Sequence, residues 1–113
     1  MKIDHYFFGK IVINGKTYTS DVIIYPDHVD SSWWRKEGHY LQPEDLGIAV
    51  NAKPEVLIVG TGYSGVMVVP EETILFIKSK GIAVLVERTE KAAELYNTLS
   101  KDRKVVAAIH LTC

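Results

Sequence analysis

The chain is poor in cysteine and in long apolar runs, and each shortage closes off a class of answer. Its single cysteine, Cys113, cannot form an internal disulfide, which points to a reducing, cytoplasmic setting. No apolar run approaches the roughly 18 residues of a membrane-spanning helix, and Met1-Lys2-Ile3-Asp4-His5 has neither an apolar signal core nor a small-residue cleavage site. No membrane association is expected. Excess charge is missing too: Lys+Arg 13 against Asp+Glu 14 leaves a formal net charge of -1. Without a basic stripe to neutralise phosphates, nucleic acid is not an expected partner. Internal repeats and low-complexity segments are also absent.

The residues present are those of a globular domain. Of 113 residues, 47% are hydrophobic and 24% charged, the balance of a chain that folds around one core. At 12.7 kDa, surface scaling gives roughly 6,200 Å² folded against about 18,000 Å² unfolded, enough burial to need no disulfide or metal.

Two halves of one domain, residues 1–113, can be read along the chain. Tyr6 to Phe8 and Lys10 to Ile13 read as strand running into Asn14-Gly15, the signal for a type I′ hairpin, and Lys16 to Ser20 returns. Asp21 to Tyr25 is a further strand, stopped by Pro26. Asp27 to Tyr40 is polar and aperiodic, a long loop of the kind that is usually functional or mobile. A helix starts at Pro43 and ends before Pro54; a second follows Pro70, with Glu71 and Glu72 at its start and Gly81 just past its end. Thr89 is placed to cap a third, whose apolar stripe is Ala92, Leu95, Tyr96 and Leu99, with Tyr96 expected to spend its hydroxyl on a buried hydrogen bond.

The apolar runs Val56 to Val59, Ile82 to Glu87 and Val105 to Leu111 alternate with helices. The expected fold is therefore α/β: an N-terminal antiparallel hairpin and strand, then a βαβαβ unit with parallel strands. Ligands of open parallel sheets bind beyond the carboxyl ends of the strands. Those ends carry Gly60 to Gly65, Arg88-Thr89 and His110 to Cys113.

Gly60-Thr61-Gly62-Tyr63-Ser64-Gly65 fits G-x-G-x-x-G directly after an apolar strand, as a dinucleotide loop would. The third glycine, however, opens Val66-Met67-Val68-Val69-Pro70. No helix can start there to hold a pyrophosphate, and no ribose-binding acid stands about 20 residues on, where Lys78 to Lys80 lies. No nicotinamide cofactor, or any other cofactor, is expected. Two readings of the loop stay open: a backbone nest for a small anion, helped by Thr61 and Ser64, or a tight turn that needs glycine. A ligand site there would draw on Gly60, Thr61, Gly62, Ser64, Arg88, Thr89, His110 and Cys113, with Arg88 as charge partner.

Other candidates are weaker. His110 and Cys113 are three apart, so on a continuous strand they face opposite ways, and a catalytic dyad would need a turn at Thr112. Asp27, His28, Asp30 and His39 match no compact metal-ligand spacing, so no metal is assigned. Trp33-Trp34-Arg35 has the residue types of an interface hot spot, with one ring expected inside and one outside.

The set Trp34-Arg35, Gly60-Thr61-Gly62-Tyr63-Ser64, Thr89-Glu90-Lys91-Ala92 with Tyr96-Asn97, and His110-Leu111-Thr112-Cys113 resembles the small Mth-type domain family. That family includes an adipogenesis-associated protein and, more distantly, a mitochondrial complex I assembly factor. The resemblance implies a stand-alone prokaryotic member, a single α/β domain with no assigned reaction and, in one branch, an assembly role. With no paired carboxylates and no nucleophile-base motif, the leading expectation is a non-catalytic interaction or assembly module. It would use the tryptophan loop and N-terminal strand edges, with a homodimer among the options. The alternative is a small-molecule or anion-binding protein, conceivably an enzyme. A concave pocket joining the three loops would favour the ligand; a filled rim and an exposed tryptophan would favour a protein partner.

Overall fold

The computed structural model describes residues Met1–Cys113. Asn14 and Gly15 sit at φ 49° and 78°, the left-handed pair that a type I′ turn requires. They join β2 (Lys10–Ile13) to β3 (Lys16–Tyr18). The first strand, β1 (Ile3–Phe7), starts earlier than Tyr6, and Phe8-Gly9 is itself a turn. A run that reads as one interrupted strand is therefore two arms of a three-stranded antiparallel sheet, ordered β1-β2-β3. The early start was hidden because only Ile3 of β1 is buried, so the segment lacks apolar alternation. Asn97 compensates from a distant helix: its Oδ1 accepts from Ile3 N at 2.8 Å and its Nδ2 donates to Ile3 O at 2.7 Å.

The main sheet draws on both halves of the chain. Its strands are β4 (Val22–Ile24), β5 (Val29–Asp30), β6 (Val56–Gly60), β7 (Ala83–Glu87) and β8 (Val105–Ile109), in the order β5-β4-β8-β6-β7. β6 pairs parallel with β7 and with β8, as expected for βαβαβ, while β4 pairs antiparallel with β8 and with β5. The loop Asp27 to Tyr40 thus contains a short strand, β5, too brief to show in the pattern.

Burial explains the uniform apolarity of the central strands. Every residue of β6 and β8 is buried, because a parallel strand covered on both faces has no polar side. Val56, Ile58, Val105, Ala107 and Ile109 pack with α3 (Thr89–Leu99) and the three-stranded sheet. Leu57, Val59, Val106 and Ala108 pack on the other face with Ile77 of α2 (Glu71–Ser79) and with Ala49 and Val50 of α1 (Gly47–Asn51). The helix expected from Pro43 is a 3-10 turn, Pro43–Leu46, that passes into the short α1. Tyr96 is fully buried, but its hydroxyl has no partner, contrary to the hydrogen bond expected of it. Burial pushes that hydroxyl up to about 12.

Candidate functional site

The sheet reverses direction of travel at β6: the chain goes from β6 outward to β7, then back across to β8 on the other side. Such a switch point leaves a crevice at the carboxyl ends of the two diverging strands, where open α/β sheets take ligands. Gly60 closes β6 there and His110 follows β8, so the three loops do converge. What they converge on is the chain itself.

The glycine loop spends most of its amides internally. Thr61 N donates to Glu87 O at 2.9 Å, Gly62 N to Thr89 Oγ1 at 2.9 Å, Tyr63 N to Thr112 O at 2.7 Å, Gly65 N to Gly62 O at 3.3 Å and Val66 N to Cys113 O at 2.9 Å. A β-carbon on Gly62, whose φ is 106°, would lie 2.3 Å from the carbonyl carbon of Cys113. Glycine is needed here because residues 112 and 113 press against the backbone. The tight-turn reading accounts for the loop, and these contacts take up the amides of residues 61, 62, 63, 65 and 66 that an anion nest would use. Val66 to Val69 form no helix; α2 begins only at Glu71.

Thr89 has a different task from the cap expected of it. Arg88 holds the N-cap position, and Thr89, the first helical residue, is fully buried. Its hydroxyl accepts from Gly62 N and donates to His110 O at 2.7 Å, tying all three loops together. Gly60 fits beneath it: a β-carbon there would come within 2.9 Å of Thr89 Oγ1. Arg88, Ser64 and Cys113 are exposed. The depression beside Arg88 holds 290 Å³ and opens among Tyr63, Glu90, Lys91 and Glu94, so of the expected set it is lined by Arg88 alone.

Beneath this rim lies a buried ionic cluster centred on Asp21. Antiparallel pairing of Val22 with Ile109 sets Asp21, one residue before β4, beside His110, one residue after β8. Asp21 Oδ2 accepts from Arg35 Nη2 at 2.7 Å and from His110 Nδ1 at 2.8 Å, and Oδ1 accepts from Leu111 N at 2.8 Å. Burial, the largest single influence, raises the Asp21 carboxyl, but the bonds from His110, the Leu111 amide and Arg35 outweigh it and bring it down to about 2. An ionised carboxylate only accepts, so Nδ1 of His110 carries a hydrogen. The Nε2 atom then faces Thr112 Oγ1 at 3.5 Å.

Arg35 closes the cluster from the long loop. Its Nη2 also donates to Gly38 O at 2.9 Å, and its guanidinium lies 4.6 Å from the centre of the Trp33 ring. Its side chain is only 6% exposed, so this residue, expected at an interface, is held inside by a carboxylate. His39 packs edge-on against His110 with ring centres 5.3 Å apart. Asp27 and His28 pair with each other at the surface, 2.7 Å apart. No hydrogen bond joins His110 to Cys113; the histidine is turned to Asp21 and Thr112 instead. Sequence reading did not single out Asp21 or Gly38. The one available signal was a lone acid directly before the apolar run Val22-Ile23-Ile24.

The tryptophans divide. Trp33 is buried and donates Nε1–H to Asp45 O at 2.9 Å. Trp34 is 75% exposed, as is Ile48 at 74%. Both line an open groove of 680 Å³ with Ile23, Trp33, Asp30, Glu44, Asp45 and Lys36.

Known proteins share this architecture. Residues 3–110 match the family model described as Protein of unknown function (DUF498/DUF598). The chain belongs to the DUF498/DUF598 family. The match covers both sheets and ends at His110, so the cluster around Asp21 lies almost wholly within the family domain. Among solved structures, the conserved hypothetical protein PH1505 from Pyrococcus horikoshii OT3 is similar at 29% identity with TM-score 0.85, covering 100% of both chains. A structure named MT938 is similar at 28% identity with TM-score 0.82, covering 99% of this chain and 98% of its own. A Bordetella pertussis protein described as a Mth938-like domain shares the fold at 22% identity, with TM-score 0.77 over 97% of this chain and 85% of its own. The Mth938-like resemblance is thereby supported for this DUF498/DUF598 member. No helix is long and apolar enough to cross a membrane.

Proposed function

We propose that this domain is a non-catalytic protein-interaction module of the cytoplasm, in line with the assembly role that the resemblance implies for one branch of its relatives. The observation that carries this reading is a contrast between two parts of the surface: the switch-point crevice is plugged by residues 112 and 113, while Trp34 and Ile48 stand in water on the rim of an open groove. A large aromatic held out at 75% exposure gains nothing for the monomer, and aromatics of this kind anchor interfaces once a partner removes water. Acids outnumber bases along the groove, with Asp30, Glu44 and Asp45 against Lys36. The fitting partner is a segment that combines apolar anchors with basic side chains.

The test is a comparison of the wild-type chain with Trp34→Ala and Ile48→Asp. Once a partner retained by the wild type is purified, calorimetry should show binding weakened on the order of thirtyfold by either change, the loss typical of a hot spot. Equal affinity for all three chains would reject the groove. A thermal-shift screen of anions and nucleotides addresses the alternative. A ligand at 100 times its dissociation constant adds about 2.7 kcal/mol of stability, and such a shift, if lost in His110→Ala, would move the function to the strand ends.

A further inference from the structure

β7 ends the main sheet with one side unpaired. Ala83 N donates to Glu55 O and Glu87 O accepts from Thr61 N, so the odd-numbered residues of β7 turn their backbone groups toward β6. Along a strand these directions alternate, and Val84 and Val86 therefore turn N–H and C=O outward. Proteins normally blunt such an edge with a charge, a proline, a bulge or extreme shortness. The opposite edge, β5, follows that rule with two residues. β7 does not: it runs in unbroken register with β6 from Ala83 to Glu87, and its centre is Val84-Leu85-Val86, all half-buried.

We infer that β7 is a self-pairing edge, at which two copies of this chain join antiparallel about a two-fold axis through Leu85. In that register Val84 of one copy exchanges both backbone hydrogen bonds with Val86 of the other, and Leu85 meets Leu85. Ala83 then stands opposite Glu87 of the second copy in a pair without hydrogen bonds, where side chains approach most closely. A second copy fits better than an unrelated strand because the apolar pattern is symmetric about Leu85. The antiparallel sense also sets the two Glu87 carboxylates at opposite ends of the joint, whereas a parallel partner of the same sequence would bring them side by side. The joint is short, so the association is expected to be weak and to grow with concentration. It is separate from the Trp34 groove and does not depend on it.

Sedimentation velocity on the full chain over a dilution series tests this, with four chains: wild type, Ala83→Glu, Ala83→Lys and the double change Ala83→Glu with Glu87→Lys. Ala83 and Glu87 are both exposed, so each variant is expected to stay folded, with circular dichroism as the check. Ala83→Glu opposes Glu87 twice across the axis and should weaken dimerisation on the order of tenfold, while Ala83→Lys should tighten it and the double change should restore it. A wild type that is monomeric at every concentration overturns the inference. So does a dimer indifferent to all three changes, or one lost with Trp34→Ala instead.

Discussion

Asp21 shows how one carboxylate can hold three distant segments. It accepts from Arg35 of the long loop, from His110 after β8 and from the Leu111 amide, and its side chain is only 18% exposed. Its pKa, depressed to about 2, makes it a stabilising group with a defined pH window. A carboxyl whose folded pKa lies below its unfolded value contributes fully above the unfolded value, near 4, and loses that contribution as pH falls through the folded one. The loss should amount to about 2 kcal/mol between roughly pH 4 and pH 2. Asp21→Asn leaves Arg35 buried without a counter-charge and should cost about 3 kcal/mol at neutral pH. Urea midpoints against pH check both statements: the gap between wild type and variant should narrow over that acid window. A constant gap would mean that Asp21 is not ionised against its partners.

Among the elements, the glycine loop is decided by what lies against it. The segment Gly60 to Gly65 follows a buried parallel strand and contains the spacing of a dinucleotide loop, yet the amides of Thr61, Tyr63 and the adjoining Val66 bind the carbonyls of residues 87, 112 and 113. Gly62→Ala should therefore destabilise by about 2 to 5 kcal/mol, combining an unfavourable positive φ with overlap against the Cys113 backbone. Chemical denaturation measures it directly. A near-neutral result would show that residues 112 and 113 do not pack on the loop in solution. Thr89 belongs to the same lock, since its hydroxyl satisfies the Gly62 amide on one side and the His110 carbonyl on the other.

At the scale of the whole molecule, one sheet separates two apolar layers, and β6 and β8 contribute to both. Neither layer can be lost without exposing the far side of the same strands. Unfolding is therefore expected to be a single cooperative event, with amides of β6 and β8 exchanging only through global opening. Hydrogen exchange should find those amides the slowest in the chain, while Val84 and Val86, whose N–H groups face outward from β7, exchange far faster at low protein concentration. Protection of β1 equal to that of β8 would contradict this ordering, because β1 buries only Ile3.

Local pattern was enough to determine the βαβαβ order, the Asn14-Gly15 turn, the limits of α2 and the parallel strands. Those features follow from apolar periodicity and from turn residues acting over a few positions. The absence of a helix after Gly65 was equally legible, since Val66 to Pro70 cannot form one. The tertiary structure alone decided the rest. Asp21 meets His110 across 89 positions and Ile3 meets Asn97 across 94, contacts that exist only once β4 pairs with β8 and β1 settles on α3. The crevice that topology opens at the end of β6 is filled by the chain's own residues 112 and 113. Strand order is written in short stretches of residues, but which segment occupies the space between strand ends depends on the whole path of the chain.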